Sequence, residues 1–373
     1  MTKGFWKTIR QAQRKNNPPK WPILALAPMA DVTDAAFRRI IAKYSKTKNG
    51  APYITFTEFV SCDGLCSEGR KNLLPLLKFS KKEKPIVAQI FGAKPENFYE
   101  SAKLIKKLGF DGIDINMGCP DKKVIKQSAG ASLINNPRLA QKIILETKRG
   151  AGRLPVSVKT RIGYNRYDKK ELKKWLIALL ECEPAAITIH ARTKKEMSLV
   201  PARWDIVAEA VKIRDEFCGS KPDKTLILGN GDVQSVAEAY EKAEQYGTDG
   251  VMIGRAVFGN PWLFAENRPC QEPAKPVTMA GRFSNAENFA VLPGCFHPGR
   301  SAKFSTRISV LLEHTKLFEK LNKNKNFDVM KKHFKSYVSG FIGAKELRIK
   351  LMACKNAKEV EVVLKNKRAP FSF

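Results

Sequence analysis

The chain has 373 residues, 43% of them hydrophobic and 28% charged, enough to bury one barrel-sized core with material left over for a small second unit. Its net charge of +31, from 67 Lys and Arg against 36 Asp and Glu, exceeds what solubility requires and points to a polyanionic partner, nucleic acid ahead of anionic membrane. No run reaches the roughly 20 apolar residues of a membrane span, and the start Met1-Thr2-Lys3-Gly4-Phe5-Trp6 lacks the apolar centre of a signal peptide, so a cytoplasmic monomer is expected.

Residues 1–21 read as a basic extension with an exposed Phe5-Trp6 pair. Eight short β-branched runs follow: Ile23 to Ala27, Tyr53 to Thr57, Ile86 to Ile90, Gly112 to Asn116, Val156 to Lys159, Ala186 to His190, Thr225 to Gly229 and Gly250 to Gly254. Amphipathic stretches alternate with them: Asp34 to Tyr44, Pro95 to Leu108, Pro137 to Arg149, Lys169 to Cys182, Trp204 to Phe217 and Val233 to Tyr246. Such alternation over about 250 residues predicts an α/β fold, a (β/α)8 TIM barrel across residues 22–264, rather than an open doubly wound sheet.

Residues 265–302 are rich in Pro, Gly, Asn and Arg without a sustained period and read as a linker or surface insertion. From 303 to 373 the pattern is helical only. Val310, Leu311, His314, Leu317, Phe318 and Leu321 form one apolar stripe, and Phe327, Met330, Phe334, Tyr337, Val338 and Phe341 form another. This small all-α domain carries 17 Lys and Arg from Ser301 onward against 6 Asp and Glu; Lys331, Lys332 and Lys335 lead a cluster, with Lys345, Arg348 and Lys350, suited to nucleic-acid phosphates.

The eight cysteines lack the paired spacing of a zinc or redox site and read as reduced thiols. Cys62 with Cys66, and Cys270 and Cys295 with His297, fit no common ligand set, so no metal is expected.

In a parallel barrel the carboxyl ends of the strands form one face, where active sites lie. The polar strand-end residues therefore belong together: Pro28 and Met29, Gln89, Asn116 and Cys119, Lys159 and Arg161, His190 and Arg192. After the last two strands, the turns Gly229-Asn230-Gly231-Asp232 and Gly254-Arg255-Ala256 are built for a phosphate, because glycine lets backbone N–H groups approach an oxyanion and Arg255 adds charge. A thiol at position 119 faces that end, which pairs a redox cofactor with an acidic sulfhydryl.

The runs Ala27-Pro28-Met29-Ala30-Asp31-Val32-Thr33-Asp34, Asn116-Met117-Gly118-Cys119-Pro120, Val158-Lys159-Thr160-Arg161-Ile162-Gly163, His190-Ala191-Arg192-Thr193, Gly254-Arg255-Ala256 and Gly259-Asn260-Pro261-Trp262 resemble the tRNA-dihydrouridine synthases, the bacterial B-type branch above all. The resemblance implies an FMN enzyme that saturates the C5–C6 bond of specific uridines in tRNA. NADPH would be a transient reductant, since no Gly-x-Gly-x-x-Gly follows the first strand.

By the same resemblance Cys119 is the general acid at C5, its ordinary pKa of about 8.5 leaving it protonated at neutral pH. Pro28 and Met29 bracket the isoalloxazine, Gln89 and Lys159 bond its polar edge, and His190 also binds the flavin. Gly229, Asn230, Gly231, Gly254 and Arg255 hold the cofactor phosphate, while Asn116, Arg161 and Arg192 contact uracil or backbone phosphate. Two other readings compete. A dihydroorotate-dehydrogenase-like enzyme acting on a free pyrimidine disagrees with the basic tail, and a non-catalytic RNA-binding barrel disagrees with intact Cys119, Lys159 and His190.

Overall fold

In the computed structural model of the chain, the described residues are Trp6, 22–46, 52–221, 223–265 and 304–365. The remainder of the N-terminal extension lies outside them, as do Cys270, Cys295, His297 and almost all of the expected insertion.

The eight apolar runs form eight parallel strands, β1 (Ile23–Leu26), β2 (Tyr53–Phe56), β4 (Ile86–Phe91), β5 (Gly112–Met117), β6 (Val156–Arg161), β7 (Ala186–His190), β8 (Leu226–Asn230) and β9 (Gly250–Ile253). A two-residue strand not anticipated from sequence, β3 (Val60–Ser61), extends the ladder beside β4. Each barrel strand pairs with its neighbours in order, and the β1–β9 and β2–β4 pairings close the sheet into a TIM barrel. Closure leaves no unpaired edge among these strands.

Side chains alternate across the pleat, so every second residue faces inward. One set of these fills the barrel with Ile23, Ala25, Ile54, Phe56, Val87, Leu228 and Met252, joined by Trp6. Trp6 is 1% exposed, which corrects the reading of it as an exposed residue: its indole gains far more by filling the barrel interior than by facing water. The other set packs outward beneath the helices α1 (Ala35–Ser45), α2 (Pro95–Lys107), α3 (Pro137–Ala151), α4 (Lys169–Glu181), α5 (Trp204–Cys218) and α6 (Val236–Tyr246). Asp34, Asn136, Asp168 and Ser235 cap four of these helices by accepting backbone N–H bonds. Helix α6 starts at Val236 rather than Val233 because Gly231 and Asp232 take positive φ angles of 134° and 55°, and Ser235 then accepts from Glu238 N.

The C-terminal region is helical as expected, with α7 (Phe304–Leu321), α8 (Lys331–Tyr337), α9 (Ala344–Ala353) and α10 (Ala357–Lys365). Both expected stripes turn inward. Val310, Leu311 and Phe318 meet Met330, Phe334, Tyr337 and Val338, and this core extends onto Ala36 and Ile40 of barrel helix α1. Lys325, in the turn after α7, donates to Glu58 Oε1 at 2.7 Å and Asp31 Oδ1 at 3.2 Å, which ties the helical region to the loops following β1 and β2. No helix among the described residues is long and apolar enough to cross a membrane.

At this junction His314 and His333 are both 0% exposed, with ring centroids 4.7 Å apart and the Phe37 ring tilted against each, at 5.6 and 5.1 Å. None of their four ring nitrogens has a hydrogen-bond partner among the described residues. Burial lowers the pKa of His314 to about 4, against small opposing pulls from Asp34 and Glu313. Burial also lowers His333 well below the ordinary range, helped by His314, Lys332 and Lys325. Because the folded-state pKa values lie below the unfolded value, the stability held by the neutral rings is complete above about pH 6.5 and drains as pH falls toward 4. Lowering the pH from 7 to 5 is therefore expected to cost on the order of 2 kcal/mol through His314 alone. In urea titrations at the two pH values, the change in stability should shrink in a His314→Phe, His333→Phe double variant; an equal change would remove the pair as its source.

Candidate active site

At the carboxyl end of the barrel lies a cavity of about 330 Å³. The strand register assembles it, since inward-facing residues of adjacent strands stand level. Gln89 pairs with Asp114 and Asp114 with Ser157; one layer higher Asn116 pairs with Lys159; His190 pairs with Asn230 and Asn230 with Met252. Pro28, Met29, Gln89, Asn116, Cys119, Lys159, Arg161, His190, Arg192, Asn230, Gly231, Gly254 and Arg255 all line the cavity, so the strand-end set converges on one place.

Gly229 does not line it. A Cβ there would fall 2.1 Å from the Trp204 ring, so that glycine serves packing beneath α5. Lys331, Lys332 and Lys335 also lie away from the cavity, on the helical region.

Cys119 sits in a loop held from two sides. Asn116 Oδ1 accepts from Gly118 N at 3.1 Å and Cys119 N at 2.9 Å, and Arg161 Nε donates to Gly118 O at 2.7 Å. The carbonyl of Cys119 accepts from Ala131 N, and Gly130, at φ 62°, is required there because a Cβ would meet that carbonyl at 2.9 Å. The thiol is half-buried, and burial raises its pKa against a hydrogen bond from the Asp121 backbone and the charges of Arg161 and Lys159, with the Asp121 carboxylate adding to the rise. The thiol is thus protonated at neutral pH.

Asn116 is fixed in turn from below. Its Nδ2 donates to Gln89 Oε1 at 3.0 Å, Gln89 Nε2 donates to Asp114 Oδ2 at 2.7 Å, and Ser157 Oγ donates to Asp114 Oδ1 at 2.6 Å. Asp114 is fully buried, and burial raises its carboxyl to about 6 against the pull of Gln89, Ser157 and Lys159. The carboxylate fixes which way the Gln89 amide faces, and each of the two amides keeps one N–H beyond these bonds. Asp114 lies inside the fourth apolar run, Gly112 to Asn116, which carries no sign of this role. Nothing in its spacing revealed that it would meet Gln89, 25 residues away.

Lys159 Nζ donates to Asn230 Oδ1 at 3.0 Å, while Asn230 Nδ2 is held by Met252 O at 2.8 Å. Burial, helped by Arg161 and opposed by Asp114 and Cys119, lowers the Lys159 pKa to about 8, so it stays largely cationic at neutral pH. His190 is held neutral by burial together with Lys159, Arg161, Arg192 and Arg255. Arg192 Nη1 lies 3.3 Å from His190 Nε2, and a guanidinium only donates, so Nε2 accepts and Nδ1 carries the proton. Both inner arginines are largely engaged with protein: Arg161 Nη1 bonds Thr193 O and Met197 O, and Arg192 bonds Val200 O and Asp232.

Asp232 joins the two sides of the expected phosphate site, accepting from Arg192 and, at 2.6 Å, from Arg255 Nη2. Burial would raise its carboxyl, but the Arg192 bond and the charges of Arg192 and Arg255 prevail and keep it below the ordinary range. Between these groups the backbone N–H groups of Gly231, Asp232, Gly254 and Arg255 have no hydrogen-bond partner among the described residues. Unfilled N–H groups clustered at two neighbouring strand ends, with Arg255 beside them, fit a phosphate. Among the described residues no group of three or more His, Cys, Asp or Glu is placed to hold a metal ion.

Residues 25–370 match the family model described as dihydrouridine synthase. The chain is 37% identical over 367 residues to a protein of Staphylococcus aureus (strain COL) described as a probable tRNA-dihydrouridine synthase, covering 98% of this chain and 95% of that one. It is 36% identical over 367 residues to probable tRNA-dihydrouridine synthase 2 of Bacillus subtilis (strain 168), covering 98% and 96%. Among solved structures, histamine dehydrogenase from Rhizobium sp. 4-9 aligns over 64% of this chain and 44% of its own, with a TM-score of 0.47 and 13% identity.

Proposed function

The chain belongs to the dihydrouridine synthase family and is an oxidoreductase, and from that premise we propose that it reduces the C5–C6 bond of particular uridines in tRNA with bound FMN, recharged by NADPH. The observation that carries the reading is the shared cavity: a half-buried protonated thiol, Cys119, opens into the same space as Lys159, Asn116 and the unfilled N–H groups of Gly231 and Gly254. When bound, the flavin would supply a hydride to C6 of the pyrimidine. The protein's own part is to hold the ring and deliver a proton.

Gly231, Asp232, Gly254 and Arg255 would hold the cofactor phosphate. Lys159 would offer positive charge to the polar edge of the isoalloxazine, and Gln89 its remaining N–H. Met29 and Pro28, on the loop after β1, would cover the ring's apolar part. Asn116 would give its free N–H to the uracil. The Cys119 Sγ proton then passes to C5 as the C5–C6 bond saturates, and the thiolate regains a proton from solvent. His190, neutral with its proton on Nδ1, would donate to the cofactor without adding charge.

We assign residues 22–264 as the catalytic barrel and 303–373 as the tRNA-binding domain, on the strength of the latter's excess of Lys and Arg. Lys332 and Lys335 are exposed, and Lys331 is held by Asp328 at 2.6 Å. Reversing all three to Glu is expected to weaken tRNA binding at 0.1 M salt and to lessen its salt slope by about 2. Filter binding from low to high salt checks this, and an unchanged slope would place the RNA elsewhere. The function itself is tested by an absorbance scan for flavin together with dihydrouridine mapping in unmodified tRNA. Activity on free uridine or orotate but not on tRNA would overturn it.

A further inference from the structure

The loop after β7 presents an apolar lip at the cavity mouth. Leu199 is 84% exposed, the most exposed large apolar side chain among the described residues, and Met197 beside it is 51% exposed. Met197 and Ser198 also line the cavity. Exposed apolar side chains are ordinary when scattered, but these are held in place by part-buried hydrogen bonds from groups of the site itself.

Arg161 donates to Met197 O at 3.2 Å and Arg192 donates to Val200 O. Leu199 N donates to Glu196 O at 2.9 Å, and Ala202 N to Asp232 Oδ2 at 2.8 Å. Met197 takes φ 52°, a left-handed conformation that a non-glycine residue adopts only when its surroundings impose it. The carboxylate of Glu196 is occupied by Thr193 N at 2.7 Å and Arg203 Nη2 at 2.6 Å, so it presents little free negative charge. Lys195 is exposed, and Lys194 lies 4.6 Å from the centre of the Tyr164 ring at the base of the lip. An apolar tip held by these bonds, flanked by cations and set beside the cavity, has the form of a wedge for a stacked polyanion.

We propose that Leu199, supported by Met197, inserts into the base stack of the folded RNA and fills the gap left when the reactive uridine swings into the cavity. The inference rests on the tRNA reading above. Extruding a base costs its stacking and pairing, and a side chain occupying the vacated space recovers apolar contact and blocks return. In this account Arg161 and Arg192 act on the substrate partly through the lip they hold, rather than solely by touching it.

The test compares Leu199→Ala and Leu199→Met with the wild type in dihydrouridine formation, using a folded tRNA transcript and the same transcript with an abasic site next to the target uridine. Leu199→Ala should lose at least tenfold in kcat/KM on the intact transcript, with Leu199→Met retaining most activity. Reduction of the bound flavin by NADPH without RNA should be unchanged. On the abasic transcript, where the stack is already broken, the Leu199→Ala defect should shrink to about twofold. Equal kcat/KM on the intact transcript, or an equal loss on both transcripts, would overturn the wedge. A wild type that binds no flavin or modifies neither transcript would instead overturn the proposed function, and the wedge with it.

Discussion

Replacing Cys119 with alanine is expected to lower turnover on tRNA by about 10²–10⁴-fold while leaving flavin content and flavin reduction by NADPH unchanged. The backbone of the loop is held independently of the thiol, by Asn116 Oδ1 on the N–H groups of Gly118 and Cys119 and by Arg161 on Gly118 O. Removing Sγ therefore deletes the proposed proton donor without collapsing the site around it. Burial has already raised the thiol pKa, so the wild-type donor remains loaded through neutral pH and is lost only on the alkaline side. Single-turnover reoxidation of the reduced enzyme by tRNA, followed by flavin absorbance, reads the chemical step directly. A variant that arrives colourless would assign the thiol to structure instead, and one that turns over normally would remove it from catalysis.

Arg38→Ala should destabilise the fold by about 3 kcal/mol, although it lies outside the cavity. Arg38 and Glu83 are both fully buried and joined at 2.8 Å, and the rest of the guanidinium bonds Thr33 O and Lys78 O at 2.6 Å each. Glu83 also accepts from Ser80 N at 2.7 Å, which ties helix α1 to the turn that enters β4. Truncating the arginine leaves a buried carboxylate held by Ser80 N and by Arg39, which is 3.5 Å away and partly in water. The loss arises chiefly from that stranded charge, so Arg38→Met with Glu83→Leu should recover much of it. Urea unfolding of the wild type, the single variant and the double variant separates the two causes. A double variant as unstable as the single one would assign the effect to packing.

The barrel was legible because its signal is local. A short β-branched run bounded by polar turns, repeated eight times, permits little besides parallel strands with crossover helices, and the observed strands differ from the expected ones by at most two residues at either end. Cys119, Lys159 and His190 were legible for the same reason, since a polar residue at a strand's carboxyl end must face the mouth. The start of α6 was misplaced because the positive φ angles at Gly231 and Asp232 serve the cavity and not the helix. Trp6 was misjudged because nothing in a basic extension reveals that one indole will fill the barrel interior.

What the order of residues determined by itself was therefore periodic and short-range: strand and helix placement, the face on which chemistry collects, the stripes of the C-terminal helices, and the charge that calls for a polyanion. The tertiary structure alone decided which distant groups meet. Asp114 fixes Gln89, Arg161 and Arg192 hold the lip at Met197 and Val200, Arg38 neutralises Glu83, and Lys325 reaches Glu58 across 267 residues. Backbone propensity and hydrophobic alternation act within a few residues along the chain, whereas the partner of a buried charge or amide is set by register and packing, and those exist only once the sheet has closed.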